Sequence, residues 1–248
     1  MTRRKYNNPP VQEALCEIFF SGAAWDSTVP GAFYHEIEQE YPKKGQLKEV
    51  GVEFSFSERE RIAKFLENND RMQFRKSDGS QIVQIGQNLF VVNQLKPYPR
   101  FEEWFPVVKD KFKILMKFVK PAKIEKIGVR YINRIVIPKQ IVRMEEYFDI
   151  FPELPKRLGD QHGPFMLRLE VPAKHPSHRL LVTFATAPAT DQNSSVFALD
   201  LYDIYEQPIT PDIEQVVKIA TEGHENIEPA FEGCIKDSLR TIFDEEKT

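Results

Sequence analysis

The sequence predicts an α+β fold: two similar strand-helix-strands-helix halves sharing one curved antiparallel sheet, with helices on one face. Three observations predict it. Runs with period-two alternation follow one another across short turns, which pairs consecutive strands antiparallel. Segments with apolar residues every three or four positions follow each group of strands, as amphipathic helices do. The order of elements in residues 1–123 recurs in residues 124–248, so two related halves are expected in one compact unit.

The first element, EALCEIFF (13–20), is an apolar run bounded by Pro9-Pro10 and Ser21-Gly22, and reads as a strand. TVPGAFYHEIEQEYP then sets Phe33, Ile37 and Tyr41 at helical spacing and stops at Pro42. VGVEFSF alternates Val52, Phe54 and Phe56 against Glu53, Ser55 and Ser57. RMQFRK alternates Met72 and Phe74 against Arg71, Gln73 and Arg75, and turns at Ser77-Asp78-Gly79 into QIVQIG. NLFVVNQL closes the group, and a long helix follows with Phe101, Trp104, Phe105, Val108, Phe112 and Leu115 on one stripe. The second half opens with the strand IGVRYINRIVIP and a short helix, MEEYFDIFPELP. The strands FMLRLEV, RLLVTFAT and SVFALDLYDIY come next, then a helix from Pro211 continued beyond His224 by Ile227, Phe231, Ile235, Leu239 and Ile242. By analogy, two such halves on one sheet match TATA-binding-protein-like or helix-grip folds, and fold analogy carries no function.

The bulk composition narrows the function classes. At 248 residues, 41% hydrophobic and 29% charged, the chain has material for a substantial core and no low-complexity tract. A net charge of −3 gives no global pull toward phosphate backbones. No apolar run reaches the ~18 residues of a membrane span, and the basic N-terminus lacks the apolar core of a secretory signal. A cytoplasmic protein with two buried thiols, Cys16 and Cys234, is the expectation.

An antiparallel sheet covered by helices on one side carries polar residues on the other. On this reading Glu13 and Glu17 share one strand face, and Arg130 and Arg134 share another. If the two leading strands meet antiparallel about a pseudo-dyad, Glu13 faces Arg134 and Glu17 faces Arg130, as cross-strand ion pairs. Alternatively the forked guanidiniums and the Asn133 amide grip a carboxylate, a phosphate or an acidic segment, with Arg168 and Glu170 nearby on the same face. A regular strand points Asn133 away from the arginines. Tyr98 and Trp104, in KPYPRFEEWFP, are the candidate anchors for a protein partner, against a reading as core packing.

NNPPVQEALCEIFF near the N-terminus, GVRYINRI in mid-chain and the late HENIEPAFEGCI resemble a sporadically distributed, functionally uncharacterised prokaryotic protein family of about this length. Its members resemble this chain in opening with Pro-Pro-x-x-Glu-Ala, in carrying Arg-Tyr-x-Asn-Arg and in ending with a His-led helix. The resemblance covers nearly the full chain. It implies no activity, cofactor or catalytic residue, and its patchy distribution fits mobile or defence-associated gene neighbourhoods.

Signatures of common chemistries are absent from the sequence. There is no glycine-rich phosphate loop, no HExxH and no GxSxG elbow. His175 and His178 flank a proline in an expected turn, with no metal-ligand spacing. Along one strand Glu13 and Glu17 lie ~13 Å apart, beyond the ~5–9.5 Å of a glycosidase pair. His224 reads as a packing or surface histidine. Lys109, Lys113, Lys117 and Lys120 read as a solvated helix face. The expectation is a non-catalytic binding or accessory module, with no cofactor and no metal, taking a protein partner or small anionic ligand on the polar sheet face. An enzyme with a polar pocket at the sheet centre is the alternative, nucleic-acid binding is third, and homo-oligomer formation stays open.

Overall fold

The computed structural model describes residues 4–47, 71–158, 163–189 and 191–246. Its frame is an open antiparallel sheet of nine strands. These are β1 (Val11–Ser21), β2 (Lys43–Leu47), β3 (Arg71–Arg75), β4 (Gln81–Gly86), β5 (Leu89–Leu95), β6 (Lys123–Ile137), β7 (Met166–Val171), β8 (His178–Ala187) and β9 (Ser195–Tyr205). Their spatial order is β2-β3-β4-β5-β1-β6-β9-β8-β7. Four helices accompany them: α1 (Val29–Ile37), α2 (Phe101–Val119), α3 (Ile213–Cys234) and α4 (Asp237–Ile242).

Alternation along the strands sorts the side chains. Ala14, Cys16, Ile18 and Phe20 of β1 join Val129, Tyr131 and Ile135 of β6 in one large apolar cluster. Phe33 from α1, Phe112 from α2, Ile219 from α3 and Leu239 from α4 complete that cluster, so all four helices share one core with the sheet. Leu15, Leu89 and Val91 form a second, smaller cluster from the intervening positions, with Phe19 against it. The longest helices carry the stripes that the sequence predicts: Trp104, Phe105, Val108, Phe112 and Leu115 of α2 are all buried. No described helix is long and apolar enough to cross a membrane.

β1 and β6 pair at the middle of the sheet, but not in the expected register. Glu17 lies across from Gly128, Leu15 from Arg130 and Glu13 from Ile132, with irregularities between Val11 and Glu13 and between Phe19 and Phe20. Glu13 therefore does not face Arg134, nor Glu17 Arg130. Pairing from Glu13 to Phe19 is regular and offset by two residues from the expected register. An even shift leaves every side chain on its own face, so alternation in the sequence does not distinguish the two registers.

Two further expectations are corrected. MEEYFDIFPELP forms only a 3-10 turn at Met144–Glu146 in place of the short helix, with a second such turn at Lys156–Leu158 just beyond it. Its backbone is engaged elsewhere: Asp149 N–H donates to the Cys234 carbonyl, and Lys236 N–H donates to the Tyr147 carbonyl. The same contact ends α3. Ile235 is extended and bridges Phe148, so the apolar stripe from His224 continues only after a break, in α4. β2, rich in lysine and unpredicted, is carried by its pairing with β3. The strand expected in VGVEFSF lies outside the described residues.

Candidate functional site

The charged residues of GVRYINRI are engaged by groups outside the motif. Arg130 forks onto Asp200 of β9, its Nε 2.8 Å from Oδ1 and its Nη2 2.6 Å from Oδ2. Its guanidinium carbon also lies 5.5 Å from the centre of the Tyr202 ring. The hydrogen bonds to Asp200 hold the Arg130 pKa above its ordinary value despite burial. Tyr202 in turn donates to Glu17, and Lys126 stands 3.2 Å from the same Glu17 carboxylate. Burial first, then the Glu17 charge, pushes the Tyr202 phenol upward. Gly128 permits this closure, because a Cβ there would stand 2.7 Å from the Tyr202 ring and 2.9 Å from Glu17 Cγ.

The remaining predicted residues are dispersed. Glu13 accepts from Asn93 Nδ2 at 2.7 Å, and Arg134 donates to the Pro188 carbonyl at 3.3 Å. Arg168 lies on the edge strand β7, three strands from β6, or ~14 Å by strand spacing. Asp203, an odd three residues along β9 from Asp200, points the other way. Trp104 is 1% exposed and packs in the core, which corrects its reading as a surface anchor.

The other face of the same motif leads to a cavity. Tyr131 and Asn133 alternate with Arg130 and Arg134, so they point toward the helices. Both line a cavity of about 1500 Å³, which is also lined by Pro9, Pro10, Tyr98, Phe101 and His224. The three segments Asn7–Val11, Tyr131–Asn133 and His224–Glu232, distant in sequence, thus contribute to one wall system.

A chain of hydrogen bonds fixes the aromatic wall. The Trp104 indole, which can only donate, reaches Tyr98 Oη at 3.4 Å. Tyr98 Oη meets Tyr131 Oη at 3.2 Å, and Tyr131 Oη meets His224 Nδ1 at 3.1 Å. His224 stacks face to face on Phe101, ring centres 4.0 Å apart. Asn133 differs from its neighbours. Its Nδ2 donates to the Leu199 carbonyl at 3.0 Å, while its Oδ1 is buried with no hydrogen-bond partner. That donation also settles the amide's orientation, because a flipped amide would set oxygen against oxygen. The neighbourhood explains the shortfall: β1 enters beside Asn133 through Pro9 and Pro10, which have no backbone N–H to offer.

A second polar group is built into the core beyond the cavity. Asp203 accepts from His178 Nδ1 at 2.6 Å and from Asn226 Nδ2 at 2.7 Å. Glu222 stands 3.4 Å from His178 Nε2. Burial acts against the charged imidazole, but the Asp203 hydrogen bond and charge, aided by Glu222, raise the His178 pKa overall. The His178 and Asp203 side chains are 0% and 2% exposed, so this group braces α3 against β8 and β9 and presents nothing to a ligand.

Sequence reasoning passes over Tyr131 and reads His224 as a packing or surface histidine. Its burial against Phe101 and its contact with Tyr131 bear out the packing reading, here at a cavity wall. The available signal was the alternation itself: an asparagine and a tyrosine on the apolar face of a central strand need partners, and a polar chamber supplies them. Among the described residues, no group of three or more His, Cys, Asp or Glu side chains is placed to hold a metal. No protein-family model matches the chain, and no curated protein is similar enough to it to be matched.

Proposed function

We propose that this protein is a non-catalytic binding module whose ligand occupies the cavity on the helix side of β1 and β6. The observation that carries the reading is the cavity itself, about 1500 Å³, with an aromatic wall held by the hydrogen-bonded series Trp104, Tyr98, Tyr131 and His224. A concave chamber lined by aromatic side chains with a few convergent polar groups is the usual form of a ligand site. A volume of about 1500 Å³ exceeds the ~300–1000 Å³ of ordinary small-molecule sites, and suits an elongated ligand or the end of a chain.

The two-half reading supports the same location. Counted outward from the middle of the sheet, β1 is followed by β5, β4, β3 and β2, and β6 by β9, β8 and β7. Each series places its first strand at the seam and its last strand next to it. On this reading the cavity is the junction of two related halves, with Tyr98 and Phe101 from one and Tyr131 and His224 from the other.

The polar sheet face is the weaker seat. The expectation of an anionic ligand there rested on two available guanidiniums, and Arg130 is committed to Asp200. None of Glu17, Arg130, Arg134 and Asp200 lines this cavity, so the enzyme alternative built on them is not supported by it. For nucleic acid, Lys109, Lys111 and Lys117 of α2 are each paired with a glutamate, which leaves no continuous positive track along that helix.

A mixed panel of small amines, acids, sugars and short peptides, screened by protein-observed NMR, tests the site. A binder is expected to move the Asn133 side-chain amide and the Tyr131 and His224 ring signals. Binding is expected to survive Arg130→Ala and Arg134→Ala. Binders that leave the cavity signals still and are lost on Arg130→Ala would return the function to the sheet face.

A further inference from the structure

We infer that two copies of this chain associate through β7, edge to edge and antiparallel, with the two-fold axis at Leu169. The inference is independent of the cavity and its ligand.

The backbone of β7 has an open side. β7 ends the sheet, and among the described residues no backbone group pairs with its outer edge. The Thr186 N–H donates to the Phe165 carbonyl, and the pairs from Met166 with Ala185 to Val171 with Leu180 continue that register. Successive pairs of an antiparallel ladder turn their backbone groups alternately toward and away from each other. Odd-numbered residues of β7 therefore bond to β8, while Met166, Arg168 and Glu170 turn N–H and C=O outward. Pro164 and Pro172 fall in the same outward series but have no N–H, so they bound it at both ends. Such an edge is a template for another strand.

The side chains select the partner and the register. Leu167, Leu169 and Val171 form an apolar row on one face, with Leu169 41% exposed and Val171 against the core. On the other face Met166, Arg168 and Glu170 are all exposed. Arg179 forks onto Glu170, Nη2 to Oε2 3.0 Å, and also bonds Glu206 at 2.8 Å. Two carboxylates thus share one arginine. Arg168 has no hydrogen bond or ion pair among the described residues. With the axis at Leu169, Arg168 of each copy stands across from Glu170 of the other, in pairs that also exchange backbone hydrogen bonds. Leu169 meets Leu169, and Leu167 meets Val171. The added Arg168 balances the charge of Glu170, Glu206 and Arg179. Moving the axis to Arg168 or to Glu170 sets like charges against each other, which sheets disfavour. The strand is therefore complementary to itself in one register, as a two-fold interface requires. At the other end of the sheet β2 carries Lys43 and Lys44 and no acid, the common protection of an edge.

Sedimentation equilibrium of the full chain tests the interface. The apparent mass is expected to rise with concentration from 28.9 kDa toward twice that value. Arg168→Glu and Glu170→Arg are each expected to weaken self-association at least tenfold, because both pairs then set like charges together. Mixed with one another, these two variants are expected to associate at least tenfold more tightly than either does alone. Arg168→Pro removes an outward donor, spares the bonds to β8 and is expected to abolish the dimer. Should a charge variant misfold, hydrogen exchange of the unaltered chain decides: the Met166, Arg168 and Glu170 amides are expected to be protected in concentrated solution and not in dilute. A monomer at every concentration would overturn the inference. So would a dimer indifferent to Arg168→Glu and Arg168→Pro, charge variants that stay apart on mixing, or exchange at those amides that ignores concentration.

Discussion

Replacing Asp203 by asparagine isolates the buried brace behind the cavity, because the shape is kept and only charge and one acceptor are lost. Asp203 accepts from two donors, His178 Nδ1 and Asn226 Nδ2, at 2.6 and 2.7 Å. The asparagine must turn its NH2 toward one of them, so a donor then faces a donor. Loss of a charge-assisted bond costs ~1.5–3 kcal/mol, and the stranded donor costs a further ~1–3 kcal/mol. The sum, ~2.5–6 kcal/mol, brackets the ~3–5 kcal/mol cost of removing one partner from a buried pair, and that narrower range is used below. In a chain of this size each kcal/mol moves Tm by ~2–4 °C, so a fall of ~6–20 °C is expected.

The loss depends on pH in a definite direction. The folded pKa of His178 is raised, with the Asp203 bond and charge and then Glu222 outweighing burial. A raised folded pKa gives a stabilisation fully present below the unfolded value of ~6.5 and lost as pH rises through the folded value. The gap between the wild type and Asp203→Asn is therefore widest near about pH 5.5 and narrows toward about pH 9. Urea unfolding followed by circular dichroism at both pH values measures it. A gap below ~1 kcal/mol at the acid end, or one that widens with pH, would refute the reasoning.

Further expectations concern the same region and its surroundings. Gly223→Ala puts a Cβ 2.7 Å from Asp203 Oδ1 and 3.4 Å from Val129 Cγ2. Overpacking costs ~1–3 kcal/mol and helix propensity returns about 1 kcal/mol, so a net loss is expected in urea, and a stabilised variant would contradict it. For Arg130→Ala, a pair with Arg130 39% and Asp200 19% exposed predicts a loss of at most ~1 kcal/mol, shrinking in high salt. Burial lifts the Cys16 thiol far above its ordinary pKa and the Cys234 thiol up to about 11. A thiol reagent at neutral pH is expected to label neither cysteine in the folded protein and both after denaturation, and rapid labelling of Cys16 would contradict its burial.

The legible part of the fold was the part governed by local pattern. Alternation in RMQFRK, FMLRLEV and SVFALDLYDIY located β3, β7 and β9, and the Phe101–Leu115 stripe located α2. What the sequence hid was set by tertiary pairing. KKGQL has no strand-like pattern and forms β2 through its ladder to β3, while MEEYFDIFPELP gives up its helix to bond the residues after α3. The site was half legible for the same reason. In Arg130-Tyr131-Ile132-Asn133-Arg134 the charges point to the face where Asp200 neutralises Arg130. The partners of Tyr131 and Asn133 come from residues near 10, 98 and 224, and no local pattern links those positions.

Asn133 connects the fold to the proposed activity in energetic terms. A seam that served packing alone would favour leucine at this position. Asn133→Leu forfeits the bond to the Leu199 carbonyl, ~0.5–1.5 kcal/mol, but removes an orphan acceptor whose burial costs ~1–3 kcal/mol. The added apolar side chain gains further from sitting among Tyr131, Ile135 and Leu201. The variant is therefore expected to be as stable as the wild type or up to ~2 kcal/mol more stable, at a residue that lines the proposed site. A variant that loses stability by several kcal/mol would show instead that Asn133 is satisfied in the free protein, and the seam would then be a packing feature.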